Sequence, residues 1–390
     1  MLRTVFKLIA SIAGPDLAQP LRLLFGNTSS AGLRRIGRLR RTASAMLRAD
    51  ERPPLPVRLQ IETTDQCNLK CRMCTREVID GMNTMTMPLE QFEKVVDDID
   101  PYYVTMNGLG EPMLDQSIFE KLAFLHEREI TTAMPTNGTY LRRAKLDRLA
   151  ENLPEMLTFS IDGAKKETFE YIRALGDFRQ IIENYRRLLE KRECGQSRHG
   201  TQINVLCALQ KANMHDYREM YSLMKGMKGV DAFDLVPVFD YDPDGSAFSH
   251  LVPDARDVQA LHKELDQAIA ESRDVAEADF YERWKSVSSV WLEHERDFQS
   301  KIHGNSCLIP WFSTYIDAKG RVYPCCYLTN TSHVMGNINE DSFGNIWEGE
   351  RYRRFRHSLV NGRRDLTGCR TCARNDDRRI RQLNRLKFVL

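Results

Sequence analysis

Hydrophobic and polar positions along the chain alternate between two periods. Short stretches repeat every second residue and longer ones every third or fourth, the marks of strands and amphipathic helices. Val57–Thr63 carries the strand pattern. Leu89–Ile99 carries the helical one, and a strand follows at Tyr102–Met106. The alternation continues through helix Ile118–Glu127, strand Ile130–Ala133, helix Leu141–Ala150 and strand Met156–Ile161. Thr168–Lys191 is mostly helical, with Gly176 marking a break. Strand Gln202–Leu209, helix His215–Met227 and strand Ala232–Phe239 complete six β/α units. The expected fold class is therefore α/β: a parallel sheet curled into a partial (β/α)6 TIM-like barrel, with its chemistry at the C-terminal strand ends.

Asp254–Glu295 keeps helical spacing and reads as a bridge. Beyond residue 300 the pattern breaks into short strands, turns and cysteines, and Arg378–Lys387 is basic and helical in spacing. The expected division is a basic amphipathic helical segment over 1–55, the barrel over 56–245 and the helical bridge over 246–300. A small cysteine-rich domain over 301–375 and a basic tail over 376–390 complete it.

Composition narrows the partners. The chain has 390 residues, 42% hydrophobic and 28% charged, which excludes low-complexity and broadly disordered classes. The net charge of +2 conceals an asymmetry. Residues 1–52 hold ten basic and three acidic residues, leaving 46 basic against 51 acidic in the remainder. Such a balance argues against a dedicated nucleic-acid binder. Met1–Gly14 is short and broken by Lys7, so it does not read as an export signal. No run approaches the roughly 20 apolar residues of a membrane span. The expected compartment is the cytoplasm, where thiols stay reduced. Leu2, Val5, Phe6, Ile9, Ile12 and Ala13 suit an amphipathic helix, and Arg34, Arg35, Arg38, Arg40 and Arg41 form a basic cluster. The plain expectation is a helical lead-in packed on the domain, with solvated arginines. Peripheral contact with an anionic inner-membrane surface, or with RNA, is the alternative. Pro53, Pro54 and Pro56 close the segment.

Ten cysteines change the picture most. Three fall directly after the first strand, in Asp65-Gln66-Cys67-Asn68-Leu69-Lys70-Cys71-Arg72-Met73-Cys74. Three thiolates spaced Cys-x3-Cys-x2-Cys wrap one face of a compact metal centre, and an iron–sulfur cube needs four ligands. A structural zinc knuckle would need a fourth Cys or His, and none sits nearby in sequence. Three further elements end successive strands, Gly108-Leu109-Gly110-Glu111-Pro112, Thr136-Asn137-Gly138 and Ser160-Ile161-Asp162-Gly163, and Tyr171-Ile172-Arg173 follows the last of them.

In this order the motifs resemble the radical S-adenosylmethionine (SAM) superfamily. The resemblance implies that Cys67, Cys71 and Cys74 hold a 4Fe–4S cluster whose fourth iron takes the amino and carboxylate groups of SAM. It further implies that the Gly108, Gly110 and Glu111 edge meets the SAM amino group. Ser160 and Arg173 would meet the ribose and carboxylate, with Asn137 close by and Met73 packing near the adenine. Reductive cleavage of SAM would then give a 5′-deoxyadenosyl radical that abstracts hydrogen from substrate. A reducing partner such as flavodoxin or ferredoxin would supply the electron.

Cys307, Cys325, Cys326, Cys369 and Cys372 make a second group. With Gly320, Gly336-Asn337-Ile338 and Ile346-Trp347 they resemble a SPASM domain, whose two further cysteines are replaced here by Arg378 and Gln382. The resemblance implies one auxiliary 4Fe–4S cluster on Cys307, Cys325, Cys369 and Cys372, as in the shortened twitch variants. A zinc ribbon is the plainer alternative. Cys326 is left over, either as a small buried hydrophobe or as a thiol that hands a hydrogen atom to a carbon radical. Cys194 and Cys207 read as structural. Asp240-Tyr241-Asp242-Pro243-Asp244-Gly245 opens like a calcium loop but has Leu251 at the twelfth place, so an acidic loop at the barrel mouth is expected. His303 and His333 read as structural or supporting.

The expected substrate is a small polar metabolite, such as a sugar, aminocyclitol or glycoside, free or lipid-linked, that is dehydrogenated or epimerised. Modification of a peptide or protein side chain is the second expectation. An RNA- or membrane-bound metal-site protein is the third.

Overall fold

The computed structural model describes residues 30–78, 85–141, 143–193, 201–239, 247–297, 307–329 and 333–361, together with Cys369. The amphipathic pattern at Leu2–Ala13 and the residues Cys194, Asp240, Asp242, His303 and Cys372 lie outside the described residues.

Eleven strands occur among the described residues. They are β1 (Arg58–Ile61), β2 (Lys70–Cys71), β3 (Tyr103–Met106), β4 (Thr131–Thr136), β5 (Met156–Ser160), β6 (Arg173–Ala174), β7 (Gln202–Leu209), β8 (Ala232–Pro237), β9 (Ser313–Ile316), β10 (Arg321–Tyr323) and β11 (Gly336–Asn337). Nine form one sheet in the order β11-β10-β9-β1-β3-β4-β5-β7-β8. From β1 to β8 each neighbour is parallel, and the intervening helices carry the chain back each time. These are the six strands expected from the pattern.

Along β7, Ile203, Val205, Cys207 and Leu209 are fully buried in the main core; on the opposite face Asn204 is buried too, whereas Gln202, Leu206 and Ala208 are half-buried. The core thus lies between sheet and helices, and the other face is left for the site.

The C-terminal region differs from a separate appended unit. β9 pairs in parallel with β1, matching Arg58 to Ser313 and Ile61 to Ile316. β10 and β11 then add antiparallel strands. The cysteine-rich region therefore continues the barrel sheet, which places its loops beside the ends of β1 and β3. A second difference is at Gly176. The helices Lys166–Ile172 and Phe178–Glu193 are separated by β6, which pairs antiparallel with β2 in the cysteine loop. The expected bridge is two helices, Ala255–Ala270 and Val275–Asp297, the first opened by an Asp254 capping box.

The basic lead-in is packed where it is described. Helix Ser30–Arg48 buries Leu39, Thr42, Ala43, Ala45 and Met46. Arg38 is not a solvated charge: it donates to Tyr102 Oη and the Ile99 carbonyl, each at 3.0 Å. Arg40 and Arg41 are exposed. The proline boundary is anchored as well. Trp347 Nε1 donates to the Pro53 and Pro54 carbonyls at 3.1 Å, and buried Arg356 donates to the carbonyls of Glu51, Pro310 and Trp347. Among the described residues no helix is long and apolar enough to cross a membrane.

Candidate active site

A cavity of ≈ 420 Å³ opens at the C-terminal ends of β1, β3, β4 and β5. Cys67, Cys71 and Cys74 form one part of its wall, with Met73 between them. Gly108, Gly110 and Glu111 form a second part, and Asn137, Ser160 and Arg173 a third. Cys326, Tyr327 and Thr329 complete the wall from the C-terminal region. Sequence elements spread over 260 residues thus meet in one space, because each follows a strand of the same sheet.

The loop cysteines are shaped by backbone constraints. Cys74 N–H donates to the Cys71 carbonyl at 3.0 Å, and Arg72 N–H donates to the Ile172 carbonyl at 2.9 Å, which holds the loop on β6. Burial pushes all three thiols up, Cys71 to about 12, with Arg173 opposing the shift there. Cys71, Cys74 and Cys207 are free thiols. The three loop cysteines line one shared space, and thiolates are the ligands of an iron–sulfur cluster.

The two glycines permit close backbone approach. A Cβ on Gly110 would stand 1.9 Å from the Thr64 carbonyl oxygen, and one on Gly108 would stand 2.3 Å from Glu62 Oε1. Glu111 is 3% exposed and ties three segments together. Its N–H donates to the Gln66 carbonyl at 2.7 Å, within the cysteine loop. Its carboxylate accepts from Thr136 Oγ1 and Asn137 N–H, both at 2.7 Å, and from Met113 N–H at 3.1 Å. Burial raises its pKa against these three donors. Asn137 Nδ2 in turn donates to Asn68 Oδ1 at 3.0 Å and lies 3.9 Å from Cys67 Sγ.

Arg173 is held rather than loose. Its Nε lies 2.6 Å from Asp162 Oδ2, and one terminal nitrogen is 3.8 Å from Cys71 Sγ. Burial alone would lower its pKa, but Asp162 and Cys71 outweigh that and raise it. Ser160 sits at the end of β5 on the cavity wall. Met73 packs with Ala208 and Ala247 against Val238, Phe248 and Leu251, an apolar corner beside the cysteines.

The second cysteine group is partly described. Cys369 is buried in the main core, and half-buried Cys307 and Cys325 pack against it. Adjacent Cys325 and Cys326 have different surroundings. Cys325 bears electrostatically on the Tyr352 hydroxyl, whereas Cys326 bears on Arg58 and Tyr315 and lines the cavity. His333 packs edge-on against Phe355 at 5.7 Å, and burial lowers its pKa. Two carboxylates have roles that the motifs do not assign: Asp162, inside the Ser160-Ile161-Asp162-Gly163 element, and Glu62, inside the Val57–Thr63 strand pattern.

Cysteines around a pocket at the strand ends of a partial barrel define a candidate thiolate cluster site. Comparison with known proteins gives the family. A model described as the radical SAM superfamily matches residues 61–224, and one described as SPASM, an iron–sulfur cluster-binding domain, matches residues 307–373. The chain belongs to the radical SAM superfamily and carries a SPASM domain. These domains imply a 4Fe–4S cluster, auxiliary cluster binding and SAM as cofactors. Among relatives, the tungsten-containing aldehyde ferredoxin oxidoreductase cofactor-modifying protein of Pyrococcus furiosus is 24% identical over 327 residues, 78% of this chain and 84% of that one. The antilisterial bacteriocin subtilosin biosynthesis protein AlbA of Bacillus subtilis is 25% identical over 300 residues, 75% of this chain. Only 60% of AlbA's own length is spanned. SuiB of Streptococcus suis, solved bound to S-adenosylmethionine, aligns with a TM-score of 0.60 at 14% identity, covering 88% of this chain and 78% of SuiB. That likeness concerns the fold alone.

Proposed function

We propose that the cavity binds SAM against a 4Fe–4S cluster held by Cys67, Cys71 and Cys74, and that the substrate enters between this wall and Cys326. The observation that carries the reading is the shared wall: loop cysteines, the Gly108–Glu111 edge and Cys326 face one space. When bound, cluster and SAM supply reductive carbon–sulfur cleavage and a hydrogen-abstracting 5′-deoxyadenosyl group. The chain's own residues do the positioning. Arg173, fixed by Asp162, offers guanidinium donors to the SAM carboxylate. The Gly110–Glu111 edge accepts from the amino group, Ser160 serves the ribose, Asn137 braces the cysteine loop, and the Met73 corner takes the adenine. Cys307, Cys325, Cys369 and Cys372 hold one auxiliary 4Fe–4S cluster, with 301–375 as its domain beside the barrel of 56–245.

The substrate class is a small polar molecule, oxidised or epimerised, with Cys326 as hydrogen-atom donor in the second case. A cavity of ≈ 420 Å³ lies near the low end of the roughly 300–1,000 Å³ usual for ligand sites, and SAM must share it. We read this as room for a small reacting group beside SAM. A peptide side chain also meets that limit, and the similarity to AlbA, a bacteriocin biosynthesis protein, favours it as the second reading. Either way a one-electron reductant such as flavodoxin or ferredoxin is the partner. The test is anaerobic reconstitution with iron and sulfide, followed by assay of SAM cleavage and of deuterium transfer from labelled small molecules and peptides. Cleavage with label from a peptide alone would overturn the small-molecule reading.

A further inference from the structure

Glu62 stands one residue beyond β1 and is not part of the cavity wall, yet it touches one segment that lines the cavity and one that leads toward it. Its Oε1 accepts the Leu109 N–H at 2.6 Å, and its Oε2 accepts the Ala318 N–H at 3.2 Å. Leu109 lies between Gly108 and Gly110 on the cavity wall. Ala318 lies in the turn between β9 and β10, the hairpin that leads to Cys325 and Cys326. Glu62 N–H adds a bond to the Ile316 carbonyl at 2.9 Å. The carboxylate is 4% exposed, and no side chain larger than hydrogen fits at Gly108 without striking it.

We propose that Glu62 is a positioning residue whose single carboxylate clasps the SAM-facing turn to the β9–β10 hairpin, so that SAM affinity depends on how the C-terminal domain is seated. The inference rests on reading the cavity as the SAM site. A carboxylate offers two good acceptors to two N–H donors. A protonated carboxyl offers one, and its own proton faces a donor. The clasp therefore belongs to the charged form. Burial raises the pKa of Glu62 to about 7, against the Leu109 and Ala318 bonds, with Asp317 and Asp65 adding to the rise. The hairpin also turns Tyr315, Tyr323 and Arg321 toward it. The clasp is complete above about pH 7 and loosened below it.

The test is equilibrium dialysis of SAM against the reconstituted full-length holoenzyme from about pH 6 to about pH 8. Wild type should bind SAM roughly tenfold more weakly at the low end. Glu62→Gln, which presents an amide N–H to one of the two donors, should bind weakly and without pH dependence. Gly108→Ala leaves Glu62 in place but pushes its carboxylate from Leu109, and should reproduce that behaviour even if Glu62→Gln loses iron. Wild-type affinity with the wild-type pH slope in both variants overturns the proposal alone. A wild type that binds no SAM at any pH overturns the reading of the cavity, and the proposal with it.

Discussion

Arg173 Nε lies 2.6 Å from Asp162 Oδ2, and both side chains are almost fully withdrawn from solvent. The pair joins the end of β5 to β6, and β6 in turn pairs with the cysteine loop. Asp162 Oδ1 also accepts the Ala208 N–H at 2.7 Å, so the carboxylate is fixed from a second side. Removing the negative charge leaves a buried guanidinium without its counter-charge, at a cost of about 3–5 kcal/mol. Asp162→Asn should therefore lower the thermal midpoint and raise the KM for SAM, because Arg173 loses its aim. An unchanged midpoint with unchanged KM would contradict this role.

Gly110→Ala should abolish SAM cleavage. The added Cβ meets the carbonyl oxygens of Thr64 at 1.9 Å and Gln66 at 2.9 Å, and backbone cannot step aside as a flexible side chain can. The Glu111 N–H bond to Gln66 would be lost with it. Iron content and SAM turnover measured on the same preparation would check this, and wild-type turnover would refute it.

The ionisation of Glu62 should also mark fold stability. Its folded pKa of about 7 stands above the ordinary 4.5, so the folded state holds the proton more tightly than the unfolded chain. The stability this contributes is complete below the ordinary value and is lost as pH rises through about 7. The displacement corresponds to about 3 kcal/mol. The thermal midpoint of wild type should fall between pH 5 and pH 8 by more than that of Glu62→Gln. Parallel curves for the two proteins would show that Glu62 does not titrate in this way. The sign is opposite to that expected for SAM affinity, so the two readouts of this one ionisation should move in opposite directions with pH.

Cys326→Ala should change the product if the thiol delivers hydrogen to a substrate radical. In deuterated buffer the wild type would place solvent deuterium on the product carbon, since the S–H exchanges. The variant would not. Equal label and equal product would assign Cys326 to packing or cluster support.

Much of this was legible in the sequence. The order of six strands and the helices Leu89–Ile99 and Ile118–Glu127 follow from local periodicity, and the motifs that carry the resemblance named Cys67, Cys71, Cys74, Glu111, Ser160 and Arg173 on the cavity wall. Four features were not. β9 adds to β1 across more than 250 residues, and a three- or four-residue strand carries too little pattern to announce a partner. β6 is two residues long and sits between helices whose spacing masks it. Glu62 and Asp162 take their importance from backbone N–H groups and a guanidinium brought in by other strands, which no local window contains. Arg38 was misjudged for the same reason: its acceptors lie at Ile99 and Tyr102.

The central claim is that Cys67, Cys71 and Cys74 face a bound SAM molecule that the protein cleaves. Anaerobically reconstituted protein, reduced with dithionite and given SAM, tests it most directly. Wild type should release 5′-deoxyadenosine and methionine, and Cys74→Ala should release none while keeping the iron of the auxiliary site, about four atoms per chain. Equal release from both proteins, or none from a wild type with its full iron content, would contradict the account.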